Sequence, residues 1–301
     1  MGMLATFKKQ RQFWFLSAIF IVWIAIFAYI PMAGLVISVL EYRPGMTFGK
    51  SPFVGFKHFV SFFQSSDFAM VMRNTLAISG LNILLGFPAP IILALLLSEL
   101  KLRRFKKFTQ TVSYLPHFIS WVVTAGFAFA MLGNEGILNT FLIRAGWVKK
   151  TVPFMTYGPY FWWLITFVNI WKGVGWSSII YLSAIAGIDE ELYAAGAVDG
   201  LGRAGMVRHI TLPGIAPTIV LLFILDIGYL LNAGFEQQLL LGNYQTRAYY
   251  EVLDTYAYKY GIQLGRYSYA TAVGLFKSVI GLTLVMTVNK ASKKLLDLSI
   301  I

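Results

Sequence analysis

Long apolar blocks separated by shorter polar connections make up most of the chain. A helix needs about 20 largely apolar residues to cross the hydrocarbon core of a bilayer. By this criterion the pattern predicts about six transmembrane helices. They cover residues 13–40, 75–97, 112–132, 160–188, 215–231 and 270–288. Prolines and glycines within the blocks are compatible with helices, because neighbouring helices satisfy the freed carbonyl groups. The sequence therefore predicts an all-α membrane protein.

The same pattern predicts three parts of the chain. Residues 1–45 form an N-terminal transmembrane helix, which is too long for a signal peptide and is not followed by a small-residue cleavage site. Residues 46–70 form an interfacial segment on the outer side, and residues 71–295 form the main transmembrane domain. Segment 53–72 is rich in Phe but too polar to span the membrane. It is expected to be a short helix that either lies at the outer interface or packs in the core.

Composition and charge support a membrane protein and predict its orientation. Only 13% of the 301 residues are charged, against about 25% in soluble domains. The net charge of +12 could indicate nucleic-acid binding, but the positive residues cluster in short connections between apolar blocks. These residues are Lys8, Lys9, Arg11, Lys101, Arg103, Arg104, Lys106, Lys107, Arg203, Arg208, Lys290, Lys293 and Lys294. Because positive residues favour the cytoplasmic side, both termini are expected in the cytoplasm.

The connection at residues 188–213 has the features of a helix–turn–helix. Asp189 suits an N-cap, and Glu190 and Glu191 fall in the first turn, where the helix dipole favours acidic groups. Gly200 suits the left-handed position that follows a helix. A second short helix is expected to run to about His209, with Pro213 ending the unit. Such a compact unit can transmit movement from a soluble partner to the membrane helices.

This connection resembles the coupling loop of bacterial binding-protein-dependent ABC-importer permeases. The family pattern is Glu-Ala-Ala, three residues, Gly, nine residues, Ile, one residue and Leu-Pro. The matching positions in this sequence are Ala195, Gly200, Ile210, Leu212 and Pro213. Ala194 stands where the family has glutamate, which leaves Glu190 or Glu191, one turn earlier, as the acidic group. The resemblance implies ATPase coupling through Glu190, Glu191, Ala194, Ala195, Gly196, Asp199, Gly200 and Leu201.

The resemblance extends over roughly residues 55–295 and implies a fold and partners. Residues 74–76, 115–123 and 136–139 are similar to family segments, and residues 169–176 and 274–277 resemble the subgroup that carries oligosaccharides or polysaccharide fragments, including relatives of the alginate importer. The implied fold is the type I ABC-importer transmembrane domain with a cytoplasmic coupling helix. The implied partners are a second related permease, two cytoplasmic ATPase subunits and a periplasmic or lipid-anchored solute-binding protein.

The sequence carries no pattern for catalysis, a metal or a bound cofactor. Gly49, Lys50 and Ser51 are the nearest match to a P-loop, but Pro44 occupies the position of its first glycine. Cys is absent and the three His residues are each isolated. The chain is therefore expected not to be an enzyme and to bind no cofactor. The resemblance implies that ATP and Mg²⁺ are bound by partner subunits, and no nucleic-acid partner is expected.

Polar residues inside two blocks are candidates for lining a translocation pathway, because such residues usually face a cavity. They are Asn169, Lys172, Gly173 and Trp176 in the fourth block, and Asp226, Tyr229 and Asn232, whose spacing predicts one helix face, in the fifth. The resemblance implies substrate contacts near Gly173, Trp176, Tyr229 and Asn232. Alternatively these residues join helices, with Asp226 paired to Lys172 or Lys277.

The charge of the substrate and the class of transporter each have an alternative. Lys172 and Lys277 could offset the charge of an alginate-like uronate, whereas a neutral oligosaccharide needs no cation. The alternative function is a secondary transporter or channel for small polar solutes. It predicts an internal repeat and a relay of ionisable groups through the spans, and the sequence shows neither.

Overall fold

The computed structural model describes residues 11–296 and is helical over most of that range. Within these residues there is no β-strand, and an isolated antiparallel bridge joins Leu40 to Phe53. The predicted all-α class is therefore confirmed. Lys8 and Lys9, two of the positive residues used to predict orientation, lie outside the described residues.

The helices are numbered here in chain order. They are α1 (Arg11–Ile24), α2 (Lys57–Phe63), α3 (Phe68–Leu81), α4 (Pro88–Ser98), α5 (Arg103–Tyr114), α6 (Trp121–Leu132), α7 (Ile137–Arg144), α8 (Phe161–Ala186), α9 (Glu190–Val198), α10 (Arg203–Met206), α11 (Leu212–Gly228), α12 (Glu236–Leu241), α13 (Arg247–Tyr250), α14 (Leu253–Tyr258) and α15 (Tyr267–Leu296). Short π-helical and 3₁₀ segments extend or connect several of them, and the first span continues beyond α1 in this way to Val39.

Five helical stretches within residues 11–296 are long and apolar enough to cross a membrane. They are Gln12–Val39, Phe68–Ser98, Trp121–Arg144, Arg203–Gly228 and Tyr267–Lys294. The sixth predicted span is α8, whose 26 residues extend about 39 Å at 1.5 Å per residue. Helix α8 is long enough to span, but Asn169, Lys172 and several glycines lower its apolar character in the middle. The prediction of six apolar spans is thus corrected to five, plus one long helix with a polar centre.

Two predicted boundaries were wrong, and both errors have a local cause. The third block was expected to be helical over 112–132, but Leu115–Phe118 is a 3₁₀ turn and α6 begins only at Trp121. Pro116 lacks an N–H group and disfavours a helical residue before it, so the helix breaks there. Segment 53–72 was expected to be one short helix, but only Lys57–Phe63 forms a separate helix. Its last five residues, 68–72, already belong to α3.

The second span remains continuous across its prolines through a π-helical turn at Asn82–Gly86. The N–H of Phe87 bonds to the carbonyl of Asn82 at 2.8 Å, and Pro88 then begins α4. A π turn adds a residue to one helical turn and accommodates a proline that cannot donate to the preceding ladder. Asn82 is thereby placed at the widened turn in the middle of the span.

The described chain divides into two compact units, and the first contains residues up to Ser65 together with Ala257–Phe276. Phe62 of α2 is buried and packs edge-to-face against Tyr269 and Phe276. The backbone N–H of Tyr42 donates to Ser268 Oγ at 3.0 Å. Burial of Phe62 supports the core-packing alternative for this part of segment 53–72. The first span has no buried residue in its most apolar window, as expected of a helix surrounded by lipid.

Among the described residues the second unit contains Ser66–Tyr256 and residues 277–296, and α8 is its central helix. Helix α8 packs against α3, α4, α5 and α11. Gly228 lies so close to Val285 that a Cβ atom on Gly228 would sit 2.3 Å from Val285 Cγ2. Small residues permit such close approach between membrane helices, where packing drives their association.

The second unit has two distinguishable ends. At one end, Glu99 after α4 lies 3.9 Å from Arg203 of α10. At the other end, Asn74 Nδ2 of α3 donates to the carbonyls of Ala248 and Glu251 at 3.1 and 3.0 Å. The connection at residues 188–213 therefore lies at the same end as the positively charged connection that follows Glu99.

Candidate functional site

A polar cavity of about 240 Å³ lies in the middle of the second unit. Its walls come from α3, α4, α8, α11 and the turns that follow Leu81 and Gly228. The lining residues are Ser79, Asn82, Ile83, Gly86, Phe87, Pro90, Asn169, Ile170, Gly173, Val174, Ser177, Asp226, Tyr229, Leu230 and Asn232. The mixture of amides, hydroxyls and apolar surface suits a polar solute with some apolar surface.

Five of the seven residues predicted as candidates for lining a translocation pathway line this cavity. They are Asn169, Gly173, Asp226, Tyr229 and Asn232. The prediction that the last three share one helix face was wrong, because α11 ends at Gly228. Tyr229 and Asn232 instead lie in a turn, in which Asn232 N donates to the Tyr229 carbonyl at 2.7 Å. The turn still brings all three side chains to the same cavity.

Lys172 and Trp176 do not line the cavity. Lys172 Nζ donates to the carbonyls of Pro116, His117 and Ile119 at 3.3, 2.9 and 2.5 Å. Trp176 stacks on His117, with ring centroids 4.5 Å apart and an interplanar angle of 3°. Lys172 and Trp176 are four residues apart and therefore share one face of α8. This face contacts the 3₁₀ turn between α5 and α6. Both side chains thus join helices, which was the alternative role considered for them.

Lys277 is also engaged within the protein. Its Nζ pairs with Asp254 Oδ1 and lies 3.2 Å from Asn232 Oδ1. In the described part of the chain neither Lys172 nor Lys277 is paired with Asp226. The expected pairing of Asp226 with one of these lysines is therefore not formed.

Two polar residues of the cavity, Ser79 and Asn82, were not predicted as site residues. Both come from the second span, and the predicted Asn169 faces them from α8. Asn169 Nδ2 donates to Asn82 Oδ1 across a long 3.4 Å contact. Ser79 and Asn82 are polar residues within an apolar block, the same signal that identified residues in the fourth and fifth blocks. Applying it to the second block would have found them.

A separate, apolar groove of about 1020 Å³ lies on another face of α8. Trp163, Phe167 and Trp171 recur every four residues and line the groove together with Phe127 and Met131 of α6. A stripe of exposed aromatic side chains along a membrane helix is normally covered by lipid or by another protein. The groove therefore differs in chemistry from the polar cavity.

The connection at residues 188–213 is called the 188–213 hairpin. Its first helix begins and ends as predicted. Asp189 accepts a hydrogen bond from the Glu191 N–H at 2.9 Å and caps α9. Gly200 has a φ of 78°, which favours glycine because a Cβ atom is strained there. The N–H groups of Gly200 and Leu201 bond to the carbonyls of Ala197 and Gly196 at 3.2 and 2.9 Å. This pair of bonds is a Schellman motif, which fixes the direction in which the chain leaves α9.

The second half of the 188–213 hairpin differs from the prediction. Helix α10 covers only Arg203–Met206, and a π-helical turn at Val207–Thr211 joins it directly to α11. Pro213 therefore does not end the unit, because the π turn accommodates the missing N–H group. A continuous helical stretch therefore connects the hairpin to the membrane span.

The interior of the 188–213 hairpin is closely packed. A Cβ atom on buried Gly196 would lie 2.8 Å from Ile210 Cδ1 and 3.0 Å from Met206 Sδ. Tyr193 Oη and Thr211 Oγ1 form a hydrogen bond of 3.0 Å between the two halves. These contacts make the hairpin a preformed body rather than a loop.

The outer surface of the 188–213 hairpin is unusual for an aqueous surface. Val198 is 88% exposed and Leu192 is 53% exposed, and both occur in the same short helix as the exposed Glu190 and Glu191. Ala194, Ala195, Asp199 and Gly200 are exposed as well. A rigid surface of small and apolar residues flanked by acids suits contact with a soluble partner.

Comparisons with known proteins agree with this architecture. The family described as binding-protein-dependent transport system inner membrane component matches residues 86–296. Protein LplB of Bacillus subtilis is 40% identical over 292 residues, covering 97% of this chain and 91% of that protein. The polygalacturonan/rhamnogalacturonan transport system permease protein YteP of the same organism is 43% identical over 274 residues, covering 91% of this chain and 85% of that protein.

Solved structures give the same result. A chain of a bacterial alginate ABC transporter, in complex with an alginate pentasaccharide-bound periplasmic protein, superposes with a TM-score of 0.88 at 38% identity, covering 98% of this chain and 99% of that chain. The predicted resemblance and the non-enzymatic class are confirmed, and the alternative of a secondary transporter or channel is not favoured. The chain belongs to the family of binding-protein-dependent transport system inner membrane components, and is a multi-pass, pore-forming permease subunit of an importer.

Proposed function

We propose that this permease forms one half of the pathway of an ATP-driven importer for oligosaccharides or polysaccharide fragments. The observation that carries the proposal is the preformed 188–213 hairpin, which is continuous with a span and exposes Leu192 and Val198. The saccharide class is supported by the names of the relatives, which include a polygalacturonan/rhamnogalacturonan permease and alginate transporters. The pathway passes the polar cavity between α3, α8 and α11.

The complete importer, in this proposal, contains a second related permease, two cytoplasmic ATPase subunits and a periplasmic or lipid-anchored solute-binding protein. The apolar groove beside Trp163, Phe167 and Trp171 is the surface against which the second permease packs, because lipid-exposed aromatic side chains gain contacts there. ATP and Mg²⁺ bind to the ATPase subunits. The main transmembrane domain, residues 71–295, holds both the cavity and the 188–213 hairpin.

The orientation we propose places both termini in the cytoplasm of a bacterium, beneath its inner membrane. It is supported by the contact between Glu99 and Arg203. This contact brings the 188–213 hairpin to the same end as the cluster at Lys101–Lys107, and positive residues in short connections favour the cytoplasmic side. The hairpin then faces the compartment that contains ATP.

Coupling follows from the geometry of the 188–213 hairpin. Movement of an ATPase would be passed from α9 through the contact of Gly196 with Ile210 into α10 and the span that follows. Ala194 supplies no charge, so the acidic contact with the ATPase comes from Glu190 or Glu191, which lie in the first turn of α9. Asp199, Gly200 and Leu201 fix the turn, and Ala195 completes the contact surface.

Uptake into proteoliposomes tests this proposal. The complete importer, assembled from the two permeases, the ATPases and the solute-binding protein, is expected to accumulate a labelled oligosaccharide only when ATP is inside with the ATPases. Replacement of the ATPases by hydrolysis-deficient variants is the matched control and should abolish uptake. Uptake that persists in this control would instead support a secondary transporter or channel.

A further inference from the structure

The wall that this chain contributes to the cavity contains polar groups but no positive charge. Asn82, Asn169, Asn232 and Ser79 supply amides and a hydroxyl, and Asp226 supplies a carboxylate. No Lys, Arg or His is among the described residues that line the cavity. Asp226 is therefore the acidic residue among those that line the cavity, and its charged form is negative.

Two of these polar atoms are buried without a hydrogen-bond partner. Ser79 Oγ and Asn169 Oδ1 are inaccessible to solvent and have no partner among the described residues. The contact from Asn169 Nδ2 to Asn82 Oδ1 is 3.4 Å long, at the weak end of hydrogen-bond geometry. Buried polar groups in native proteins are normally satisfied, and exceptions often have a functional reason. A ligand hydroxyl group, which both donates and accepts, can satisfy them once these side chains turn toward the cavity that they line.

The two nearest candidates for a positive charge are engaged with the protein itself. Lys172 donates to three backbone carbonyls on the far side of α8. Lys277 forms an ion pair with Asp254, and each side chain of that pair is less than a quarter exposed. Freeing either lysine for a ligand would leave buried acceptors or a carboxylate unpaired, which is costly.

We propose that Ser79, Asn82, Asn169 and Asp226 form a hydroxyl-binding subsite that favours a neutral sugar unit and disfavours a sugar carboxylate. This inference rests on the proposed function. A neutral sugar unit offers hydroxyl donors to the carboxylate of Asp226 and exchanges hydrogen bonds with the amides, whichever way these are turned. A uronate carboxylate only accepts hydrogen bonds and would face the charged form of Asp226 as a like charge in a partly wet site. Where a saccharide carries carboxylates, these must face the other permease.

The test uses the complete importer in proteoliposomes and matched pairs of saccharides. Each pair is a uronate oligosaccharide and its carboxyl-reduced counterpart of equal length, for example oligogalacturonides and their reduced forms. The wild-type importer is expected to take up the reduced member at least about fivefold faster than the uronate, consistent with like-charge repulsion of about 1 kcal/mol in a partly wet site. Asp226→Asn should raise the ratio of uronate to reduced uptake about fivefold. Glu135→Gln, which removes an exposed carboxylate outside the cavity, should leave that ratio unchanged.

Asn169→Ala and Ser79→Ala test the hydroxyl contacts. Each is expected to raise the KM for the reduced saccharide by about three- to tenfold, the effect of one lost neutral hydrogen bond. Ser79→Ala removes only a hydroxyl group, so it remains informative if the Asn169 variant assembles poorly in gel filtration.

The outcomes separate this inference from the proposed function. If uronates are taken up as fast as their reduced forms and Asp226→Asn leaves the ratio unchanged, the subsite inference is overturned while a saccharide importer stands. If ATP drives the uptake of neither member of any pair, the proposed saccharide function is overturned, and the subsite with it.

Discussion

Gly196 and Ile210 touch across the 188–213 hairpin so closely that a Cβ atom on Gly196 would lie 2.8 Å from Ile210 Cδ1. Glycine stands here where the related family has its second alanine. The missing methyl group lets α9 approach the π-helical turn that leads into α11. In the proposed coupling mechanism, position 194 carries no glutamate to contact the ATPase. The close packing of Gly196 and Ile210 therefore contributes to passing movement from the ATPase to the span.

Enlarging the side chain at position 196 should disrupt the 188–213 hairpin. Gly196→Leu would overpack a filled space and is expected to cost about 1–3 kcal/mol, because Ile210, Met206 and Leu201 surround it. Gly196→Ala should be tolerated, since the atoms it meets are ends of flexible side chains. Thermal unfolding of the purified permease measures both variants. Gly202→Ser is the matched control, because nothing lies within 4 Å of that position; equal effects at both positions would contradict this packing.

Lys172 is expected to support stability rather than affinity for substrate. Lys172→Met removes the donor shared by three carbonyls and should lower the free energy of unfolding by about 1–3 kcal/mol. The KM for saccharide uptake should change little in the protein that remains folded. Lys172→Arg keeps donors at this site and should recover part of the loss. An unchanged unfolding temperature together with a raised KM would instead assign Lys172 to the substrate.

The ion pair of Lys277 and Asp254 should show strong coupling in a double-mutant cycle. Each of Lys277→Met and Asp254→Asn leaves the other partner largely buried, and each is expected to cost about 2 kcal/mol or more. The double variant should be less destabilised than the sum of the single variants, because no unpaired charge remains. Strict additivity in thermal unfolding would show that the two side chains are not energetically coupled.

The connection after the first span should loosen at acidic pH. Lys57 Nζ donates to Glu41 Oε2 at 2.8 Å, and this bond lowers the pKa of Glu41 from its ordinary value of 4.5. A lowered pKa in the folded state stabilises the fold above the ordinary value, and this stabilisation is lost as the pH falls through the lowered pKa. Both side chains are substantially exposed, so the effect should be below about 1 kcal/mol. Hydrogen-exchange protection factors for residues 39–57 at neutral and acidic pH measure it, with Lys57→Met as the variant that should lose this pH dependence.

Local chemistry made some elements predictable from the sequence. Asp189 and Gly200 bracket α9 as predicted, because an N-cap and a left-handed glycine depend on only a few neighbouring residues. The all-α class followed from blocks long enough to span a bilayer. Breaks in those blocks were harder to predict. Pro116 interrupts a helix, whereas Pro88 and Pro213 do not, because π-helical turns precede the latter two.

The cavity was predictable only in part, since sequence spacing does not show which face of a helix is covered. Gly173 and Lys172 are adjacent in α8, yet Gly173 lines the cavity and Lys172 faces the break at Pro116. Tyr229 and Asn232 reach the cavity through a turn rather than through helical spacing. Both features depend on tertiary packing, which residue patterns alone do not specify. Ser79 and Asn82, in contrast, carry a sequence signal, because they are polar residues within an apolar block.

The role of the 188–213 hairpin is tested most directly by comparing Gly200→Val with Gly200→Asn in the reconstituted importer. The φ of 78° at Gly200 strains a β-branched residue but is tolerated by asparagine, and apart from the chain neighbours no atom lies within 4 Å of a Cβ atom placed there. The measurement is saccharide-stimulated ATP hydrolysis, with complex assembly monitored by gel filtration. We predict that Gly200→Val loses most of the stimulation and that Gly200→Asn retains it. Full stimulation in both variants would contradict coupling through this hairpin.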